Sequence, residues 1–265
     1  MYLQALRSAI LGTLTLLAIT FLPAGTLHYW QGWVYVAVFV IPSAAFTIYL
    51  AIYDPALLQR RMQVGPSHER ETVQKIVMVF AMLAFLSLIV LPALDYRFGW
   101  SVVPAYISIL GDGLVALGFY FFYLVVRVNS YAASNIRVEQ DQKVVSTGPY
   151  AIVRHPMYSG ALVLLIGTPL ALGSWWALLL VPLFLPILIV RILNEEKVLA
   201  RRLLGYTEYQ SALPSYTSGM VIGPSQPASI RGDDQLFEPS TCAQKEGVRA
   251  GRARCGVRDR SPTRM

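Results

Sequence analysis

Two short stretches of the 265-residue chain concentrate side chains able to bind or transform a small molecule. The first runs Ser146-Thr147-Gly148-Pro149-Tyr150, then Arg154-His155-Pro156-Met157-Tyr158-Ser159-Gly160. Gly148-Pro149 encodes a turn. Pro156 disfavours helical backbone at His155 yet suits the first turn of the helix that follows. His155 and Arg154 are therefore expected beside unpaired backbone N–H groups at a helix N-terminus, a place that favours anions. Tyr150 and Tyr158 add aromatic faces, and Gly160 is expected to leave room for a ligand near the backbone. The second stretch is Arg191-Ile192-Leu193-Asn194-Glu195-Glu196-Lys197-Val198-Leu199, followed by Gly205-Tyr206-Thr207-Glu208-Tyr209. Arg191 and Glu195 share one helix face. They make either a solvated helix-end ion pair, worth about a few tenths of a kcal/mol, or a ligand site. In the second case the adjacent carboxylates Glu195 and Glu196 neutralise a cation and Arg191 holds an anion. The residue pattern leaves both open.

The elements that must carry these residues follow from composition. The chain is 55% hydrophobic and only 14% charged, whereas average domains are about 25% charged. Disorder over most of the chain is excluded, as is a secreted disulfide scaffold. A soluble globule of this core would lack the charge to cover its surface. An integral membrane protein fits. Apolar runs near the ~20 residues that span a bilayer occur around Ala9 to Leu22, read as an uncleaved first helix, then Tyr29 to Tyr53, Ile76 to Leu94 and Val102 to Val126. A longer run from Tyr158 to Ile192 is interrupted by Pro169 and Gly173-Ser174, which predicts two helices joined as a tight hairpin. The expected fold is all-α and polytopic, with about five to six transmembrane helices ending in a C-terminal helical hairpin. Residues 1–126 supply the N-terminal transmembrane helices, 127–210 the functional core, and 211–265 a basic tail too polar to order itself.

Charge placement gives an expected orientation. Arg60, Arg61, Arg70 and Lys75 crowd one loop, and Arg127, Arg137, Lys143 and Arg154 another, while the loops at 23–29 and 95–101 hold one cation, Arg97. Basic loops face the cytoplasm, so the N-terminus, both polar stretches and the site are expected there. Eight of the 22 Lys and Arg residues lie beyond residue 202. The net charge of +7 is thus no nucleic-acid stripe, since no basic patch interleaved with aromatics appears. Cys242 and Cys255 both lie in the tail, and His28, His68 and His155 are scattered, so no metal pattern is present. Gly111-Asp112-Gly113 with Gly118 reads as helix packing rather than a nucleotide-binding turn. Asp112, ionisable inside a membrane helix, stands out.

Gly148-Pro149-Tyr150, Arg154-His155-Pro156-Met157-Tyr158-Ser159-Gly160, Glu195-Glu196 and Gly205-Tyr206-Thr207-Glu208-Tyr209 together resemble the isoprenylcysteine carboxyl methyltransferase family. That family is part of a wider group of membrane methyltransferases that includes phospholipid N-methyltransferases. The likeness covers about residues 135–210, and Asp54-Pro55-Ala56-Leu57-Leu58-Gln59-Arg60-Arg61 also looks like bacterial members. It implies S-adenosyl-L-methionine as methyl donor, bound by Gln142, Lys143, Val144, Val145, Tyr150, His155, Pro156, Met157, Tyr158 and Glu195. Arg191 matches the position that orients a substrate carboxylate, which with His155 makes the expected catalytic pair. The expected partners are a lipid-like or prenylated acceptor and membrane lipids. A phospholipid amine acceptor, a nicotinamide-dependent sterol-type reductase and a non-catalytic relative are the alternatives. After Gln210 the sequence departs from the family's pattern.

Overall fold

A computed structural model describes residues 2–62, 72–132 and 142–212. Over these residues the chain is all helical, with no strand. Helix α1 spans Tyr2–Ala24, α2 Trp30–Tyr53, α3 Pro55–Met62, α4 Thr72–Phe98 and α5 Ala105–Val128. They are followed by α6 (Pro156–Ala171), α7 (Trp175–Leu178), α8 (Phe184–Arg202) and α9 (Tyr206–Ala212). Five stretches are long and apolar enough to cross a membrane: Tyr2–Ala24, Trp30–Tyr53, Gln74–Phe98, Ala105–Val128 and Trp175–Arg202. The shorter α6 is apolar as well. Outward-facing leucines, isoleucines and aromatics on these helices, such as Leu11, Ile48, Phe80 and Ile109, are exposed, as expected where lipid rather than protein covers them. The segments 63–71 and 133–141 and the expected tail from 213 lie outside the described residues.

Hydrogen bonds between residues far apart in the chain tie the helices together. Near the chain start Tyr2 donates to the Ala51 carbonyl at the end of α2 (3.4 Å). At the opposite end, Asp95 of α4 is fully buried and accepts from Ser101 N (2.7 Å), Ser101 Oγ (2.5 Å) and Ser174 Oγ (2.5 Å). Ser174 also accepts from Ala177 N (3.1 Å), starting α7 as its N-cap. One carboxylate thus fastens α4, the α4–α5 link and the α6–α7 turn. Tyr29, also fully buried, donates to the Leu172 carbonyl at 2.5 Å. Tyr29→Phe leaves that carbonyl unpaired and is expected to destabilise the protein by about 1–2 kcal/mol, read as a lower melting temperature in detergent.

The tightest helix pair is α5 with α6, and glycine is the reason. A Cβ at Gly118 would sit 2.8 Å from Leu164 Cβ, and one at Gly167 would sit 2.9 Å from the Gly111 carbonyl oxygen. Small residues on both helices let the backbones approach, as in other membrane helix pairs. Gly111 and Gly118 are therefore packing residues, as expected, while Gly113 faces open space. Gly160 corrects an expectation. Its missing side chain is filled by Phe121 and Phe122, where a Cβ would lie 2.9 and 3.2 Å away, so it serves helix packing and leaves no space for a ligand. Asp112 is buried, and neither carboxylate oxygen has a hydrogen-bond partner.

The expected C-terminal hairpin is present, but its apex is longer than a turn. Between α6 and α8 the chain makes α7 and a 3-10 turn at Val181–Leu183. α8 then packs on α4, so α6 and α8 diverge and space remains between them. The short helix α3 was not expected from the apolar pattern. Asp54 caps it by accepting from Leu57 N (2.9 Å), with Pro55 in the first position, a combination that favours a helix start. Its Leu57 and Leu58 are buried against Leu50, Val125 and Val126.

Candidate functional site

The divergence of α6 from α8 opens a cavity of about 380 Å³. That lies within the range of about 300–1,000 Å³ usual for small-molecule sites. Every residue expected in the site lines it: Gln142, Lys143, Val144, Val145, Tyr150, His155, Pro156, Met157, Tyr158, Arg191 and Glu195. Four walls supply them. The extended segment 142–145 and the 3-10 turn Gly148–Ala151 form one, and the first turn of α6 a second. α8 gives a third through Phe184, Ile187, Leu188, Arg191, Glu195 and Leu199, whose spacing of three and four places them on one helix face. The fourth comes from earlier elements that the sequence analysis does not assign to the site: Arg61 of α3, Met78 and Ala81 of α4, Phe122 of α5 and Asn129 with Ala132 just after it.

Local sequence explains the geometry of the first two walls. Gly148 adopts φ +59°, a conformation glycine takes without strain, which allows the chain to turn into Pro149-Tyr150. Pro156 occupies the first position of α6, and His155 precedes it with φ −125° and ψ 63°, outside the helical region. The expected break at His155 and helix start at Pro156 are both found.

The polar groups divide into two sets. Within the cavity, Tyr158 donates to Glu195 Oε2 at 2.8 Å and also makes a hydrogen bond with Arg191. Arg191, Tyr158 and Glu195 thus form one cluster rather than a solvated ion pair at a helix end. Opposite them, Asn129 donates to the Tyr150 hydroxyl at 2.7 Å. Burial pushes the Tyr150 phenol above its usual range, so it remains a neutral donor at physiological pH.

Behind the cavity, Glu196 gathers the second set. It accepts from His155 Nε2 at 3.2 Å, from Arg154 Nη1 at 3.3 Å and from Gln210 Nε2 at 3.4 Å. His155 and Glu196 are 4% and 8% exposed, so this is a buried, charge-assisted junction. The anion expected near Arg154 and His155 is the protein's own Glu196. Arg154 Nη2 also donates to the Gln210 carbonyl (2.5 Å), and Tyr209 donates to the Tyr150 carbonyl (2.7 Å). Helix α9 is thereby tied against the site, with Tyr206 and Tyr209 buried and lining the cavity.

The cavity has a mixed lining. Its lining includes the charged residues Lys143, Arg154, Arg191, Arg61 and Glu195 and the apolar residues Met78, Ala81, Ala161, Phe184, Ile187 and Leu188. The arrangement suits a ligand with a charged head and a hydrocarbon portion. Among the described residues no group of three or more His, Cys, Asp or Glu could hold a metal ion.

Residues 106–204 match the family model described as phospholipid methyltransferase. The match runs from the start of α5 through α8 and contains both polar stretches. No curated protein and no solved structure matches the chain.

Proposed function

We propose, on the premise that residues 106–204 belong to the phospholipid methyltransferase family of membrane enzymes, that this protein transfers a methyl group from S-adenosyl-L-methionine to a lipid-linked acceptor. The acceptor favoured here is a carboxylate of the isoprenylcysteine type. The observation that carries this choice is the charge balance of the cavity: with Arg154 already paired to Glu196, three further cationic side chains (Arg61, Lys143, Arg191) line it, and Glu195 is the one carboxylate among the described lining residues. A site so lined attracts an anion, and its apolar lining suits a prenyl or acyl chain.

The donor fits the residues present. The cavity volume and the mixed lining are those of a small-molecule site, and among the described residues Glu195 offers the only carboxylate lining it. Gln142, Lys143, Val144, Val145, Tyr150, His155, Pro156, Met157 and Tyr158 would surround the donor, and Glu195 would hold its amino or hydroxyl groups. When bound, the donor supplies an electrophilic methyl on a positively charged sulfur. The protein's task is to align the acceptor with that methyl and exclude water. Arg191, fixed by Tyr158, would orient the acceptor carboxylate, which is already nucleophilic and needs no base. His155, held by Glu196, would keep the α6 end of the cavity in shape. The basic loops at this end of the helices support a site facing the cytoplasm. Residues 127–210 would form the donor-binding core on a scaffold supplied by 1–126.

A second reading, methylation of an amine-bearing phospholipid, is favoured by the matched family's own description. The two products differ chemically. Purified protein would be incubated with methyl-labelled donor and either a farnesylcysteine derivative or phosphatidylethanolamine, and the labelled lipid then treated with mild alkali. A carboxyl methyl ester releases its label as methanol, and an N-methyl group does not. Alkali-labile label on the farnesylcysteine derivative is the expected result. Alkali-stable label on the phospholipid would replace the first reading with the second, and no label on either lipid would contradict both.

A further inference from the structure

Arg61 holds an unusual place among the cations of the cavity. It is half-buried on α3, outside the segment that matches the family. One N–H of its guanidinium goes to the Ala132 carbonyl at 2.8 Å, and its Cζ lies 5.1 Å from the Phe46 ring centroid. A guanidinium carries five N–H donors. No carboxylate pairs with this one among the described residues. Its neighbour Arg60 points elsewhere, to the Ser130 carbonyl and the Tyr131 ring. The Ala132 contact seats Arg61 on the wall that begins with Asn129, whose side chain holds the Tyr150 hydroxyl. Desolvation lowers the stability of the Arg61 charge, and an anion in the cavity would relieve that cost.

We propose that Arg61 is an anion receptor of the cavity, its unused N–H groups binding carboxylate or phosphate oxygens of the molecule held there. This rests on the cavity being a ligand site, as in the proposed function, and adds a residue from α3 to it. A planar fork suits a two-oxygen anion, which a lysine ammonium would meet only as a point charge. Two sources of the anion are compatible with the site, the carboxylate of the methyl donor and the anionic group of the lipid acceptor.

The test compares wild type, Arg61→Gln and Arg61→Lys in detergent, using S-adenosyl-L-methionine, its decarboxylated analogue, N-acetyl-farnesylcysteine and a short-chain phosphatidylethanolamine as binding probes. If the donor supplies the anion, Arg61→Gln weakens S-adenosyl-L-methionine at least tenfold and leaves the decarboxylated analogue unaffected. If the acceptor does, Arg61→Gln weakens the lipid probes tenfold and leaves the donor unaffected. In either case Arg61→Lys is intermediate. Wild-type affinity of Arg61→Gln for all four probes would overturn the proposal and leave Arg61 as a brace for the turn at Ala132. Should the wild type fail to bind the donor, the proposed donor is wrong, but the lipid probes still report on Arg61. Should Arg61→Gln fail to fold, phenylglyoxal labelling of wild-type protein takes its place. Protection of Arg61 by any of the three anionic probes supports the proposal, and equal labelling with and without them overturns it.

Discussion

Replacing Glu196 with alanine is expected to cost about 3 kcal/mol of stability and to release α9 from the site. Glu196 is the shared acceptor of Arg154, His155 and Gln210. The Arg154 side chain is only 8% exposed, so removing Glu196 takes a carboxylate partner from a guanidinium that is held out of water. Breaking a buried pair from one side costs about 3–5 kcal/mol, and the lower end applies here because Arg154 keeps the Gln210 carbonyl. Glu196→Gln preserves an acceptor oxygen and should lose about half as much. Glu208, exposed, with its carboxylate accepting from the neighbouring Thr207 hydroxyl, provides the control. Thermal unfolding and amide exchange over Tyr206–Ala212 would check this. A Glu196→Ala protein as stable and as protected as Glu208→Ala would show that the junction holds nothing.

The second large effect is expected at Gly111. An alanine there would place its Cβ 2.2 Å from the Ala171 nitrogen and 2.6 Å from the Leu170 carbonyl carbon. Backbone cannot rotate aside as a side chain can, so α5 and α6 must separate along their whole contact. Overpacking costs about 1–3 kcal/mol where side chains can adjust, and a backbone collision belongs at or above the upper end. Gly113→Ala, two residues along on an open face, should be neutral or stabilising, because alanine favours helix by about 1 kcal/mol over glycine. Since α6 carries His155 at its cap and Met157 and Tyr158 in its first turn, Gly111→Ala should also weaken ligand binding. Equal melting temperatures for the two variants would contradict the close α5–α6 packing.

These two positions also mark what the sequence made legible. The long helices announce themselves as apolar runs, and Gly111 and Gly118 as packing residues. The His155-Pro156 break was equally readable, because proline restricts its predecessor whatever the surroundings. The division of labour between Glu195 and Glu196 was not. Adjacent helix residues point about 100° apart, so one faces the cavity and the other faces away, but the orientation of α8 depends on its packing against α4. Glu196 shares its buried face with Ile192, an i,i+4 relation that hinted at burial. Its pairing with residues 41 and 42 positions earlier had no local signal. Gly160 misled because a missing side chain looks the same in sequence whether a ligand or a phenylalanine fills the gap. Arg61 was legible as a loop cation and in the Asp54–Arg61 likeness but not as a cavity residue, because α3 is too short for a periodic pattern, although Asp54-Pro55 carried its start signal.

Binding of the methyl donor is the most direct test of the proposed function. Calorimetric titration of S-adenosyl-L-methionine into the purified, folded chain should show a single site of micromolar affinity. Glu195→Gln, which keeps the Tyr158 hydrogen bond but removes the charge, should weaken it at least tenfold while the melting temperature holds. A well-folded wild-type protein that takes up no donor would contradict the methyltransferase reading of this cavity.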